Sequence, residues 1–306
     1  MRAIQLNRRG GAEALACGEA PVPAPGPGEV LVRVHAAAVT PTELEWVPTW
    51  TTPAGAPRPF PIIPGHEFSG VVHAVGPDVT DPAPGAAIYG MNDCFRDGAQ
   101  ADFCVAPAAA VAAAPRTVDH VHAATVPISA LTAWQGLVAG ERVLVHGAAG
   151  GVGLFAVQMA KRRGAHVVAT ASAHDLEFVR ELGADEVIDH RARRFEDVVR
   201  DVDVVFDTVG GETLARSWHV LRPQGRMVTI AASAEQTGEP RVRDAFFIVV
   251  PSRERLAAVA RMLEAGELRA VVGAVFPLTD PQRAYAHEAV RGKVVLDVAA
   301  DRQEHA

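Results

Sequence analysis

Hydrophobic and polar positions divide the chain into two regimes. Up to about residue 117, short β-type runs (Met1–Leu6, Glu29–Ala37, Glu67–Val75 and Ala101–Ala106) are separated by proline and glycine. Pro21–Gly28 is too short for a linker and leads straight into an apolar run, so it reads as a rigid surface loop. Ala108–Ala114, bracketed by Pro107 and Pro115, reads as a connection near a domain boundary. From Val118 onward, strand-length apolar runs alternate with helical patterns. The strands are Val143–Val145, His166–Ala171, Glu186–Asp189, Asp203–Asp207, Arg226–Ala231 and Phe246–Val250. Between and after them lie helices at Asp175–Leu182, Thr213–Leu221 and Glu254–Ala265. This alternation predicts an α/β fold with a doubly wound, parallel, six-stranded sheet. A last strand, Lys293–Val298, is expected to return to the first domain. The predicted division is therefore 1–117 with 268–306, and 118–267.

Arg142–Ala171 carries the strongest local signal. Val143, Leu144 and Val145 run into the glycine cluster Gly147-Ala148-Ala149-Gly150-Gly151-Val152-Gly153. A helix follows to Arg163, with Leu154, Val157, Gln158 and Lys161 at three- and four-residue spacing, and Gly164 closes it. Strand, glycine turn, helix and strand form the unit that sets a dinucleotide pyrophosphate on a helix N-terminus. Glycine is needed there because a Cβ would hold backbone N–H groups away from phosphate.

Composition narrows the function. The 306 residues suit two domains. The 29 basic and 36 acidic residues are spread along the chain, so no nucleic-acid or polybasic membrane partner is expected. No apolar run approaches the ~20 residues of a membrane span. The N-terminus lacks a signal-peptide core, and the three cysteines form no CxxC, so the expected location is the cytoplasm.

Several motifs together resemble the medium-chain dehydrogenase/reductase superfamily, in its zinc-independent quinone oxidoreductase branch. They are Pro64–Val72 (PGHEFSGVV), Arg96–Phe103 (RDGAQADF), Leu131–Trp134 (LTAW) and Ala148–Gly153. Glu181–Asp189, Asp207–Gly211 and Gly292–Leu296 continue the same order to the end of the chain. The resemblance implies a GroES-like β-barrel catalytic domain, a Rossmann domain and an active site in the cleft between them. Gly65-His66-Glu67 is shared with zinc alcohol dehydrogenases, where catalytic zinc takes two cysteines and a histidine. Here Thr40-Pro41-Thr42-Glu43 and Val126-Pro127-Ile128 stand at the cysteine positions, and Tyr89–Phe103 holds only Cys94 in place of a four-cysteine lobe. No zinc is expected, with His66 beside Glu67 or Glu43 as the alternative donor set.

The cofactor expected is NADPH. NAD selectivity usually rests on an acid at the end of the second strand, whereas Ala169-Thr170-Ala171-Ser172 has none. Ser172 suits a 2′-phosphate and also opens a capping box with Asp175. His174 stands where the family often has a lysine or arginine, and His190 and Arg191 add positive charge nearby. Gly147–Gly153 would hold the pyrophosphate, with Thr132 near the phosphates. Asp207, Val209, Gly210, Ile230 and Ala231 lie at strand carboxyl ends, and by resemblance line the nicotinamide riboside. Lys293 is a further candidate contact from the returning segment.

The implied reaction is hydride transfer to a quinone or an α,β-unsaturated carbonyl. The alternatives are an alcohol dehydrogenase, a trans-acting enoyl reductase of a biosynthetic pathway, or a non-catalytic NADPH-binding protein. Thr40, Glu43, Trp46, Trp50, His66 and Tyr89 are the substrate-side candidates, with Trp46, Trp50 and Phe60 proposed as an apolar wall. A quinone product is acidic enough to be protonated by water, whereas an enolate benefits from a protein acid. The apolar segment Ala245–Val250 is an edge suited to a homodimer.

Overall fold

The structure is a computed structural model that describes residues 1–137, 142–287 and 291–300. It divides into two compact units, Met1–Ile128 with the chain from Pro251 onward, and Ser129–Val250. The boundaries fall at 128/129 and 250/251 rather than at the 117/118 and 267/268 expected. Two contacts explain the shift. Helix His120–Ala124 packs on the first unit's sheet, with the His120 ring 2.7 Å from the Ser69 hydroxyl. The buried Tyr89 hydroxyl donates to the carbonyl of Leu256, at 2.6 Å, in helix Arg253–Glu264. Tyr89 is therefore a structural anchor rather than a substrate contact.

The first unit is built from β1 (Arg2–Leu6), β2 (Leu15–Glu19), β3 (Glu29–Ala38), β4 (Glu67–Val75), β5 (Ala87–Met91), β6 (Phe103–Pro107) and β7 (Val111–Ala113). β3 is the centre, pairing antiparallel with β4 and β6. Its residues Val30, Val32 and Val34 are buried with Ile4, Leu6, Phe68 and Ile88 in the core. β7 pairs with β5, so Ala108–Ala114 contributes a strand instead of a mere connection.

In the second unit, β8 (Arg142–Val145), β9 (His166–Ala171), β10 (Glu186–Asp189), β11 (Val202–Asp207) and β12 (Leu221–Thr229) form a parallel sheet in the order β10-β9-β8-β11-β12. Val143, Leu144, Val145, Val204, Val205 and Phe206 are all buried, because a parallel sheet is covered on both faces and needs no polar side. The expected sixth strand does not form. Phe246 makes a single parallel bridge to Thr229, and Ile248 and Val250 are 70% and 61% exposed. The pleat that the apolar spelling suggests has no continuous partner among the described residues.

β13 (Val272–Pro277) and β14 (Lys293–Asp297) complete the first unit. β14 pairs antiparallel with β3 through Val295–Ala38, Leu296–Ala37 and Asp297–Ala36, so the returning strand lies where expected.

Candidate functional site

The glycine turn follows β8. Gly147 has φ +68°, and a Cβ on it would lie 2.4 Å from Thr208 Oγ1. A Cβ on Gly153 would lie 2.1 Å from the Gly147 carbonyl oxygen. Gly150 caps helix Gly151–Arg162 without a side chain, and no acid occupies its first turn. The first N–H groups of such a helix have no intrahelical acceptor, so the turn offers an anion site. Ala148 and Ala149 are buried, whereas Gly150, Gly151 and Val152 are half-buried. Thr132 is buried in helix Pro127–Gly136.

His146 props the turn from beneath and was not among the residues singled out. Its ring lies 3.0 Å from both Thr170 Oγ1 and Ser217 Oγ, and its carbonyl accepts from the Thr208 hydroxyl at 2.8 Å. Complete burial pushes its pKa down to about 3, which keeps it neutral.

The rim at the end of β9 departs from expectation. The Ser172 hydroxyl donates to the Asp175 carboxylate at 2.9 Å, in place of the capping-box bond to backbone, and His174 lies 3.0 Å from the same carboxylate. His190 is held to the Ala171 carbonyl at 2.8 Å, and Arg191 is exposed.

Asp207 is spoken for within the protein. Its carboxylate, fully buried, accepts from the N–H groups of Val209 and Gly210, both at 3.1 Å, and from the Thr229 hydroxyl at 2.8 Å. The carboxylate shapes the loop whose backbone is the candidate cofactor contact. Val209, 54% exposed, and Ala231 face outward at the carboxyl ends of β11 and β12, with Ile230 half-buried and Gly210 buried between them and the core.

A second set of groups gathers in the first unit. Glu43, 1% exposed, accepts from the Gly65 N–H at 3.2 Å, from the Tyr285 hydroxyl and from Gln100. Burial outweighs these donors and the nearby Lys293 ammonium, raising the Glu43 pKa to about 7. Gly65, at φ +92°, must be glycine: a Cβ there would lie 2.4 Å from Gln100 Cγ.

Lys293, at the start of β14, sends its ammonium to Thr40 Oγ1 at 2.9 Å and to Glu67 Oε1. The other oxygen of Glu67 accepts from the N–H of Ile128 at 2.9 Å. The lysine side chain is 10% exposed, and burial lowers its pKa to about 8, with Glu43 opposing that shift. The ammonium expected at the cofactor is thus engaged with the acid of the Gly-His-Glu motif. His66 is buried beside it in sequence, and burial lowers its pKa to about 4. Asn92 donates its amide N–H to the Asp97 carbonyl, so its oxygen accepts from His66 Nδ1–H at 3.0 Å. Gln100 lies within the Arg96–Phe103 motif and Tyr285 is one of only two tyrosines, but nothing local in the sequence ties either to Glu43, from which they are 57 and 242 residues away.

Of the proposed apolar wall, Trp50 and Phe60 are in ring contact, while Trp46 has a different ring partner. Trp46 stacks on His66 at 6.2 Å. Trp50 meets Phe60 edge-on at 6.4 Å and, with Arg9, Leu44, Glu45 and Tyr285, lines an open pocket of about 470 Å³.

A Rossmann-type sheet with a phosphate turn, carried with a GroES-like unit, defines a dehydrogenase architecture. Residues 26–116 match the family of alcohol dehydrogenase GroES-like domains, and residues 182–296 match that of zinc-binding dehydrogenases. The chain is 30% identical over 329 residues to the mitochondrial NAD(P)H oxidoreductase RTN4IP1 of Danio rerio, covering 90% of this chain and 85% of that one. The quinone oxidoreductase of Coxiella burnetii superposes with a TM-score of 0.85 at 27% identity, covering 97% and 99% of the two chains. Mycobacterial Rv1454c, solved with NADPH, superposes with a TM-score of 0.79 at 29% identity, covering 97% and 99%. The protein belongs to the medium-chain dehydrogenase/reductase superfamily, in its quinone oxidoreductase-like branch, and is an oxidoreductase.

The zinc named by one matching family does not suit this donor set. Among the described residues, no three His, Cys, Asp or Glu side chains converge on a metal-sized site. Glu67 is paired with an ammonium, and Thr40, which shares that ammonium, offers a hydroxyl where zinc favours thiolate or imidazole.

Proposed function

We propose that the protein is an NADPH-dependent, zinc-independent reductase of quinones or α,β-unsaturated carbonyls. The observation that carries this reading is the engagement of Glu67 and Thr40 by Lys293. A simple aldehyde needs a strong electrophile at its oxygen, which a metal ion commonly supplies. Quinones and enones are electron-poor already and suit a site whose cation is an ammonium.

NADPH, when bound, supplies the hydride. The chain's own part is to hold and orient. Backbone N–H groups of Gly150, Gly151 and Val152 would take the pyrophosphate, Ser172 and His174 the 2′-phosphate, and Val209 and Ala231 an apolar ring face. His66, neutral and stacked on Trp46, offers a lone pair at Nε2. No described helix is long and apolar enough to cross a membrane. A cytoplasmic homodimer acting on a small molecule completes the proposal, with the exposed Phe246–Val250 segment as the contact.

The test follows NADPH and NADH oxidation by chelator-treated protein with quinones, 2-enones and simple aldehydes. Turnover of quinones or enones, faster with NADPH and unaffected by chelator, is expected. Turnover of aldehydes alone, and only with added zinc, would overturn the reading. NADPH binding without any turnover would move the protein to the binding class.

A further inference from the structure

This inference rests on the reductase reading above and names a proton donor within it. Of the 29 basic residues, 27 are arginine and only two are lysine, Lys161 and Lys293. The chain therefore builds nearly all its cations from guanidinium, including its surface ion pairs. Arg142 and Arg216, for instance, pair with Glu186 and Glu196. An arginine would serve Glu67 as a permanent partner, and with better bidentate geometry. What arginine cannot do is release a proton at physiological pH, whereas a buried ammonium can.

Lys293 is placed to do so. Among the described residues its three N–H bonds meet two acceptors, Thr40 Oγ1 and Glu67 Oε1, leaving one for a further acceptor. Thr40 is half-buried just past the end of the strand that β14 pairs with, and the lysine side chain beside it is 10% exposed, so the ammonium is largely desolvated without being sealed off. Behind it stands a second proton store: Glu43, close enough to interact electrostatically with Lys293, and bonded to Tyr285.

We propose that Lys293 is the general acid that protonates the reduced acceptor. After an enone accepts a hydride at its β-carbon, the electron pair rests on the enolate oxygen. A Lys293 N–H bond breaks, an O–H bond forms, and the enol tautomerises to the saturated ketone. The neutral amine then takes a proton from water, so one hydride and one proton are consumed per turnover. Thr40 aims the ammonium, and Glu67 stabilises its charged form.

The charged and titratable groups facing Lys293 are Glu67 from β4, Glu43 from the turn Pro41–Glu45, and, through Glu43, Tyr285 from helix Pro281–Ala286. Ionisation of Glu43 near pH 7 adds a negative charge and favours the ammonium. The acid form is required, so the rate is full below the lysine pKa and falls tenfold per pH unit above it. With a value of about 8, the fall begins inside the working range.

Protein labelled at lysine Cε has only two side-chain signals, which makes a direct NMR titration possible. Lys293 is expected to titrate near pH 8, and enone kcat/KM to show an alkaline limb at the same pH, with a solvent isotope effect above twofold. Lys293→Arg keeps the ion pair but should lose the limb and about 100-fold in enone kcat. Its loss with a quinone should be at least tenfold smaller. Lys293 titrating at the ordinary lysine value, an alkaline limb unmoved in Lys293→Arg, or equal losses on both acceptors would overturn the proposal. If that variant does not fold, the NMR titration and solvent isotope effect of the wild type decide the matter alone. Wild-type inactivity on both acceptors would instead sink the parent reading, and this inference with it.

Discussion

Gly153→Ala is a sharp perturbation of the nucleotide turn, because everything its new methyl meets is backbone. The Cβ would lie 2.1 Å from the Gly147 carbonyl oxygen, 2.8 Å from its carbon and 2.9 Å from Ala148 Cα. Ordinary contact begins near 3.4 Å, so the turn must retreat from the helix by about 1 Å. Overpacking of this kind costs about 1–3 kcal/mol, or roughly 2–12 °C in the unfolding transition. The same retreat moves the N–H groups that would hold phosphate, and a charge-assisted hydrogen bond weakens steeply with distance. NADPH affinity should therefore fall by at least tenfold, about 1.4 kcal/mol. Gly150→Ala is the control: its Cβ would meet only the Gly147 oxygen, at 3.4 Å, and φ is −76°. Stability of this control should stay within about 0.5 kcal/mol. Calorimetry and fluorescence titration of NADPH read both quantities. Wild-type stability and affinity in Gly153→Ala would refute the reasoning.

Three further outcomes are expected. His66 and His146 have pKa values lowered to about 4 and about 3 from 6.5, so as pH falls below 6.5 the unfolded chain gains protons that the folded protein refuses. Each should remove about 1.4 kcal/mol of stability per pH unit; denaturant titrations at pH 7 and 5 check this, with His66→Gln showing the shallower dependence. Asp175→Asn removes a carboxylate bonded to Ser172 and His174, and should raise the NADPH:NADH ratio of kcat/KM about tenfold, or about 1.4 kcal/mol. Unchanged preference would detach that rim from cofactor choice. Ile248→Glu, at a position 70% exposed, should convert a dimer to monomer by light scattering without loss of secondary structure; a wild-type monomer would refute the homodimer.

The second unit was legible because its signals are local. β8, the glycine turn and the following helix adjoin one another in sequence, and the buried runs of β9 and β11 are long enough to read by eye. Phe246–Val250 misled because apolar spelling reports a preference for burial, while a strand also needs a neighbour with free backbone groups. The role of the Asp207 carboxylate was not legible for a related reason: an acid at a strand end looks the same in sequence whether it faces outward or binds its own loop, as it does here. The Lys293–Glu67 pair spans 226 residues, and no periodicity connects positions so distant. The scarcity of lysine was the available sign, since it marks a place where arginine does not stand in.

The pairing of β14 with β3 also bears on how the molecule is made. The second unit is complete in sequence once residue 250 has been synthesised, whereas the first must wait for Lys293–Asp297. During synthesis, Glu67 and Glu43 therefore exist for a time without their ammonium, and β3 with one edge open. An early-ending transcript or a ribosome stalled before Gly292 would release a chain with a finished nucleotide-binding unit and an unfinished partner. Such a product would still bind cofactor while being unable to move a proton, and its open β3 edge would be the first surface for a chaperone to find.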